Sequence, residues 1–420
     1  MTGMTSAVVI GNGCAGVECI KALRESGYKG KIHLMSDSKR SVYNPMLTTY
    51  YVIGKIGFEG LFPFGSNEAV CAKYDVDLHA ESPTVFLDAE QRIVANKAGL
   101  ELKYDNCLVA TGATPVLPPI HGINSEKVFT MRTVEDAVRL KKAMEKKPRR
   151  ALVVGASMVG VKLVELFHKA GVEVCLADLA NHLFPLAANA ECASVLEERL
   201  RQPGIRLRFG SSIEKLEEVS GGGIRAHFKD STEHEDADLI IMCIGVRANT
   251  GFIDRKQVSL DRGVLVNEQM QTNVLGLYAA GDVAQGRNLL SGGQQIIGLW
   301  ANARYQGRTA GRNMAGRKDH FPGNILHNIT HFMGMDFVGI GDVLNYDHME
   351  KQDNGKTFMQ LFWKNGLLAG ANFIDRYTEA GVIKNALIKG LQQKATFSPE
   401  NSSLVHQLLI SKMIGEVEKK

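Results

Sequence analysis

Two stretches of this chain share one pattern: Val8–Glu18, VVIGNGCAGVE, and Leu152–Lys162, LVVGASMVGVK. Each runs from a short apolar segment through a glycine-rich turn into an amphipathic segment, which reads as strand, tight turn and helix. In the first copy Gly11 permits the turn, Gly13 lets the backbone approach a pyrophosphate, and Gly16 lets helix and strand pack together. A diphosphate then faces the amides at the helix N-terminus, so Cys14 and Ala15 at the start of that helix count with the glycines as candidate binding positions. Gly155, Ser157 and Gly160 repeat the spacing, with serine at the middle position. A second apolar strand follows each turn, Lys31–Met35 and Val172–Ala177, and leads to Asp37 and Asp178 at about the spacing of a ribose-binding acid. A lone glycine turn says little, but two copies, each with its strand, helix and acid, predict two dinucleotide sites.

Asp178 selects between pyridine nucleotides. A carboxylate accepts from a ribose 2′-hydroxyl and repels a 2′-phosphate, and Leu179-Ala180-Asn181 offer no arginine to bind that phosphate. NAD(H) is favoured over NADP(H), with His182 as the one nearby basic residue.

Between and after the motifs the pattern is of short elements. Lys39 and Arg40 follow the first acid and could touch an adenine or a phosphate, and Asn44-Pro45 is a turn that starts a helix. Thr84–Leu87 and Arg92–Ala95 alternate as in a small sheet insert. Cys107–Ala110 is a buried strand closing on Thr111-Gly112, and ADLIIMCIG, ending at Gly245, resembles it. Met131–Lys146 and Trp300–Ala315 are helical by period. A strand ending at Gly281-Asp282 puts a carboxylate where it can accept from a ribityl hydroxyl, with Val283-Ala284 opening a later helix. Taken alone, the same carboxylate reads as a helix cap. Phe337–Val343, Phe358–Trp363 and Leu367–Phe373 read as strands, and Ser403–Val417 as an amphipathic tail that folds back on its own domain or meets a partner.

With 49 basic and 45 acidic residues, the net charge of +4 predicts neither nucleic-acid binding nor membrane insertion. The opening residues lack a signal-peptide pattern and no apolar run approaches a bilayer span, so a cytoplasmic protein is expected. The seven cysteines show no CxxC and no metal-ligand spacing, so no bound metal or iron-sulfur cluster is expected within the chain.

The order of a GxGxxG, an ATGA strand, a GxSxxG, a second closing strand, AAGDVA and a WxxAxxQG helix resembles the two-dinucleotide-binding FAD flavoproteins, among them rubredoxin and ferredoxin NAD reductases and NADH oxidases. The resemblance covers essentially the whole chain. It implies an α/β fold with two Rossmann-like domains: an FAD-binding domain at 1–120 and 248–322, an NAD-binding domain at 121–247, and a C-terminal α+β interface domain at 323–420. FAD would be held by Gly11, Gly13, Cys14, Ala15, Gly16, Asp37, Lys39, Pro45, Thr111, Gly112, Gly281 and Asp282. NAD would be held by Gly155, Ser157, Gly160, Asp178 and Gly245, with Trp300 close to where flavin and nicotinamide stack.

Two departures narrow the chemistry. The redox cysteines of the disulfide, peroxide and coenzyme A disulfide reductases are missing, since that region reads VYNPMLTTYY with Met46 where a single cysteine would stand. Cys14 and Cys19 have a CxxxxC spacing but belong to the first phosphate turn and its helix. Lys162 stands where many relatives carry a glutamate. A cation near flavin N5 would favour the anionic reduced flavin, and an exposed helix lysine is the alternative. The second half-reaction must then use something outside the chain. The expectation is an FAD- and NAD(H)-dependent electron-transfer subunit with an iron-sulfur, ferredoxin-like partner. The length, the NPML loop and Lys162 look most like FAD subunits of 2-oxoacid oxidoreductases, whose sister subunit uses thiamine diphosphate. A free-standing NADH oxidase or NADH:rubredoxin reductase, and a flavin-bearing structural subunit, stay open.

Overall fold

The computed structural model describes residues 5–393 apart from residue 230. They fall into two compact units. One takes in the chain up to Thr114, Arg132–Val134 and Val246–Asn324; the other takes in Pro115–Met131, Glu135–Gly245 and the chain from Ile325 onward. Three helices position the nucleotide turns and their surroundings: α1 (Cys14–Glu25), α2 (Met158–Lys169) and α3 (Trp300–Met314).

The first unit is built on a five-stranded parallel sheet in the order Leu277–Ala279, Asn106–Val109, Ser6–Ile10, Lys31–Met35, Asp77–His79. Ala7, Val8 and Val9 of the central strand have no exposed surface, which is why that strand reads as an unbroken apolar run rather than an alternating one. α1 leaves the end of this strand and packs along α3. Contact is close because α3 carries Gly307 and Gly311 one turn apart, where a Cβ would run into the carbonyls of Ala15 and Cys19. The expected insert is present as an antiparallel meander of Thr84–Asp88, Ile93–Asn96 and Glu101–Lys103.

One expected helix start is not there. The residues after Asp282 form a strand, Ala284–Arg287, paired in parallel with Val264–Leu265 and antiparallel with Gln294–Gln295. Ladder hydrogen bonds on both sides hold this segment extended, and a turn over 288–292, closed by the Gly292 amide on the Asn288 carbonyl, delays the helix until Trp300.

The second unit opens on another five-stranded parallel sheet, in the order Arg206–Arg208, Glu173–Ala177, Arg150–Val154, Leu239–Met242, Val128–Phe129. α2 follows the central strand as α1 does in the first unit. The helix expected over 131–146 spans Val134–Glu145. From Ile325 the chain adds an antiparallel sheet in the order His327–Phe332, Met335–Gly341, Leu367–Ile374, Phe358–Lys364, His348–Asp353, then the helix Ala380–Gln393. The tail Ser403–Val417 lies outside the described residues. Among those described, no helix is long and apolar enough to cross a membrane, and no group of three or more His, Cys, Asp or Glu is placed to hold a metal.

Candidate functional site: two nucleotide-binding turns

In the first unit the glycine turn is fixed by its own backbone. Gly11 has φ +113° and donates its amide to the Met35 carbonyl at 2.8 Å. A Cβ at Gly11 would strike the Ala110 carbonyl, and one at Gly16 would strike the carbonyl of Gly11, so the fold itself demands both glycines. Gly13 is different. Its φ of −102° suits any residue, and a Cβ there would meet only the Ala110 oxygen, at 3.9 Å. The protein atoms around the turn leave room for a side chain at Gly13. Gly13 also caps α1 without a side-chain acceptor, and the first turn carries no acid, so the N-terminal amides are left for an anion. This open cradle fits a diphosphate.

Around the turn the structure gathers residues that are far apart in sequence. The Asn12 side-chain amide donates to the Arg40 carbonyl at 3.1 Å and to Asn67 Oδ1 at 2.9 Å, and Asn67 donates to the Lys39 carbonyl at 3.0 Å. Asp37 and Lys39 are exposed on the loop so placed, and Pro45 opens a short 3-10 turn capped by Asn44. Gly281, at φ +82°, donates its amide to Gln306 of α3 at 2.8 Å.

Asp282 is not a helix cap, because a strand follows it. Its Oδ2 accepts from Arg132 at 2.6 Å. The same Arg132 group comes within 4.0 Å of where a Cβ on Gly112 would lie, and the Arg132 carbonyl accepts from the Tyr43 hydroxyl at 3.3 Å. Thr111 is locked by a reciprocal pair with Asn249, at 2.8 and 2.9 Å. Thr111, Gly112, Arg132 and Asp282 thus form one cluster, of which sequence reasoning missed Arg132. The only sequence signal was a lone arginine in a segment expected to be helical. Trp300, half-buried at the start of α3, packs near Phe64 with ring centroids 6.3 Å apart, against the cluster of Val17, Val42 and Val70.

The two thiols of α1 are held protonated. Burial, and then the Glu18 carboxylate, push Cys14 up to about 12, and burial raises Cys19 as well. Cys19 donates to the Met314 sulfur at 3.6 Å rather than to Cys14. A thiol held protonated is neither nucleophile nor electron relay.

In the second unit Gly155 has φ +118° and donates to the Ala177 carbonyl at 2.8 Å, while Cβ atoms at Gly155 and Gly160 would strike the carbonyls of Cys243 and Gly155. Ser157 caps α2, its hydroxyl accepting from the Gly160 amide at 3.3 Å. The Asp178 carboxylate accepts from the Ala156 amide at 2.5 Å and from the Ala180 amide at 2.7 Å, so this acid is clamped against the turn. Gly245 sits at the end of the closing strand with φ +111° and open space around it. Asp178→Asn is expected to weaken NADH binding by on the order of tenfold, the cost of a charge-assisted bond, and to narrow the preference over NADPH. Steady-state KM values for the two nucleotides check this.

Lys162 is not an exposed helix lysine. Its ammonium donates to the His331 carbonyl and to Glu165 at 3.2 Å, and its side chain is 20% exposed. Glu165 also accepts from Lys169 at 2.6 Å and from the Met333 amide at 3.2 Å. Burial would raise the Glu165 pKa, but the bonds from Lys169 and Lys162 outweigh it and hold the carboxyl below its ordinary range. Lys162 thereby ties α2 to the hairpin of His327–Phe332 and Met335–Gly341 inside its own unit.

Residues 5–307 match the family described as pyridine nucleotide-disulphide oxidoreductase. The chain belongs to that family. Pyridine nucleotide-disulphide oxidoreductases bind FAD and NAD(H), and this chain is an FAD-dependent NAD(H) oxidoreductase. The NADH-dependent phenylglyoxylate dehydrogenase subunit epsilon of Aromatoleum evansii is 27% identical over 397 residues, covering 92% of this chain and 92% of that protein. An NADH oxidase of Methanocaldococcus jannaschii is 27% identical over 322 residues, 75% of this chain and 71% of that one. The covalent putidaredoxin reductase–putidaredoxin complex shares the fold with a TM-score of 0.86 at 22% identity, covering 97% of this chain and 98% of that chain.

Proposed function

We propose that this pyridine nucleotide-disulphide oxidoreductase is the flavin subunit that exchanges electrons between NAD(H) and an iron-sulfur protein, within a 2-oxoacid dehydrogenase complex of the phenylglyoxylate type. One observation carries the reading. The chain keeps both nucleotide turns, yet Met46 stands where a reactive cysteine would be, and burial silences Cys14 and Cys19. The second half-reaction therefore leaves the chain. The near-complete mutual coverage with a dehydrogenase subunit supports membership of a complex. In such a complex a thiamine diphosphate-dependent subunit would oxidise the oxoacid.

Bound FAD supplies the chemistry of accepting a hydride and releasing its electrons singly. The chain's own part is to bind and orient. Gly11, Gly13, Gly16 and the α1 amides, at Cys14 and Ala15, take the diphosphate; Asp37 and Lys39 lie on the adenosine side. Pro45, Thr111, Gly112, Gly281 and Asp282 line the flavin side. Asp282 is oriented there by Arg132. Gly155, Ser157, Gly160, Asp178 and Gly245 take NAD. Trp300 and Lys162 are assigned to the reacting end.

Anaerobic stopped-flow absorbance tests this. NADH should bleach the flavin far faster than NADPH does, and the reduced protein should reoxidise quickly with a ferredoxin and slowly with oxygen. Fast reoxidation by oxygen would make the chain an oxidase, and no bleaching would leave a flavin-bearing structural subunit. Lys162→Met with unchanged flavin potential and hydride-transfer rate would remove that lysine from the reacting end.

A further inference from the structure

The segment between Tyr43 and Phe64 has an unusual surface. It holds six aromatic residues, Tyr43, Tyr50, Tyr51, Phe58, Phe62 and Phe64, and none of them is fully buried. Three of the rings form a connected series, with Tyr51 and Phe58 centroids 5.7 Å apart and Phe58 and Phe62 5.3 Å apart. Cations lie on their faces. Arg40 sits 5.3 Å from the Phe58 centroid and Lys55 5.6 Å from that of Tyr50. At the rim Met46 is 60% exposed and Ile53 37%.

A few scattered apolar residues on a surface need no explanation, but partly buried rings, three of them in contact, beside exposed Met46 and Ile53 and with Arg40 on a ring face have the composition of a protein interface. The sign of its charge is also set. From Lys39 to Phe64 there are three cations, Lys39, Arg40 and Lys55, against one carboxylate, Glu59. Glu81, from outside the segment, comes within 4.0 Å of Lys39 at its far end.

The segment is fastened to the first nucleotide turn. Asn12, between Gly11 and Gly13, bonds to the Arg40 carbonyl on one side of it and to Asn67 on the other, Phe64 packs near Trp300, and Tyr43 bonds to the carbonyl of the arginine that holds Asp282. A protein seated on these rings rests on the scaffold that positions the flavin-side residues.

We propose that this aromatic and cationic face docks an acidic protein that carries an iron-sulfur cluster. The inference rests on the electron-transfer reading under Proposed function. Its stoichiometry is NADH plus two oxidised one-electron clusters giving NAD+, one proton to solvent and two reduced clusters. The rings supply buried contact area on docking, and Lys55, with the positive excess of the segment, meets the partner's carboxylates and sets association rate and salt dependence.

The test compares the full flavin-loaded chain with Ile53→Glu/Lys55→Glu and with the milder Lys55→Gln. Two acceptors are used, the small neutral quinone menadione and an acidic [2Fe-2S] ferredoxin, over a range of salt. The double variant should reduce menadione at the parent rate while its KM for ferredoxin rises about tenfold, and Lys55→Gln should move the same way by less. The parent's ferredoxin KM should rise with salt. An unchanged ferredoxin KM in both variants overturns the docking site. If the double variant also loses menadione reduction, Lys55→Gln decides alone. A parent that reduces menadione but no ferredoxin refutes the electron-transfer reading itself, and this proposal with it. Sedimentation of the parent with anionic vesicles, with ferredoxin kinetics indifferent to the substitutions, would assign the face to a membrane instead.

Discussion

Gly13→Val is expected to give a folded chain that has lost its flavin. The neighbouring glycines cannot show this, because Val at Gly11 or Gly16 puts a side chain into the backbone of the first unit, and folding and binding would fail together. At Gly13 the backbone is extended and the nearest protein atom to a Cβ is 3.9 Å away, so the substitution costs the fold little. What the side chain fills is the approach to the α1 amides, which a diphosphate must reach to within hydrogen-bond distance. The loss in FAD affinity should be about a hundredfold or more, close to 3 kcal/mol. Visible flavin absorbance per protein after gel filtration, beside an unchanged far-ultraviolet dichroism spectrum, reads it directly. A variant that keeps its flavin would show that the diphosphate does not lie against this turn.

What could be read from the sequence was whatever local geometry dictates. Ala7–Ile10 and Ala151–Val154 are apolar without alternation because both faces of a parallel strand are covered, and the glycines follow where a positive φ or a close approach requires them. Asp178 was legible because its place at the end of a strand is set by chain length alone. Contacts made by chain return were not legible. Arg132 has no motif, and its meaning comes from an aspartate 150 residues later. The strand at Ala284–Arg287 reads as a helix start in the sequence because four residues carry no period, and only the ladder on each side decides. Lys162 gave its type and helix face but not the hairpin carbonyl that receives it.

The pairing of α1 with α3 is the other long-range feature, and removing its centre should be the largest stability effect of any single polar substitution here. Glu18 has no exposed side-chain surface. Arg304 donates to it at 2.6 Å, and Arg308 at 2.7 and 3.3 Å. Burial alone would raise the Glu18 pKa, but the bonds from Arg308 and Arg304 outweigh burial and hold it below the ordinary carboxylate range. Glu18→Gln keeps the shape and removes the charge, leaving two arginines facing one amide oxygen. The arginine side chains are 40% and 33% exposed and can recover some hydration, so the expected loss is about 2 kcal/mol rather than the full penalty of an isolated buried charge. The pH dependence separates this from a packing defect. Because the folded pKa is depressed, the parent holds the stabilisation fully above the unfolded value of about 4.3 and loses it as pH falls through the folded value. The gap between parent and Glu18→Gln in urea midpoint should therefore be constant at neutral pH and close in acid. A gap that persists unchanged below the folded pKa would mean that Glu18 fills space between the helices and that its charge contributes nothing.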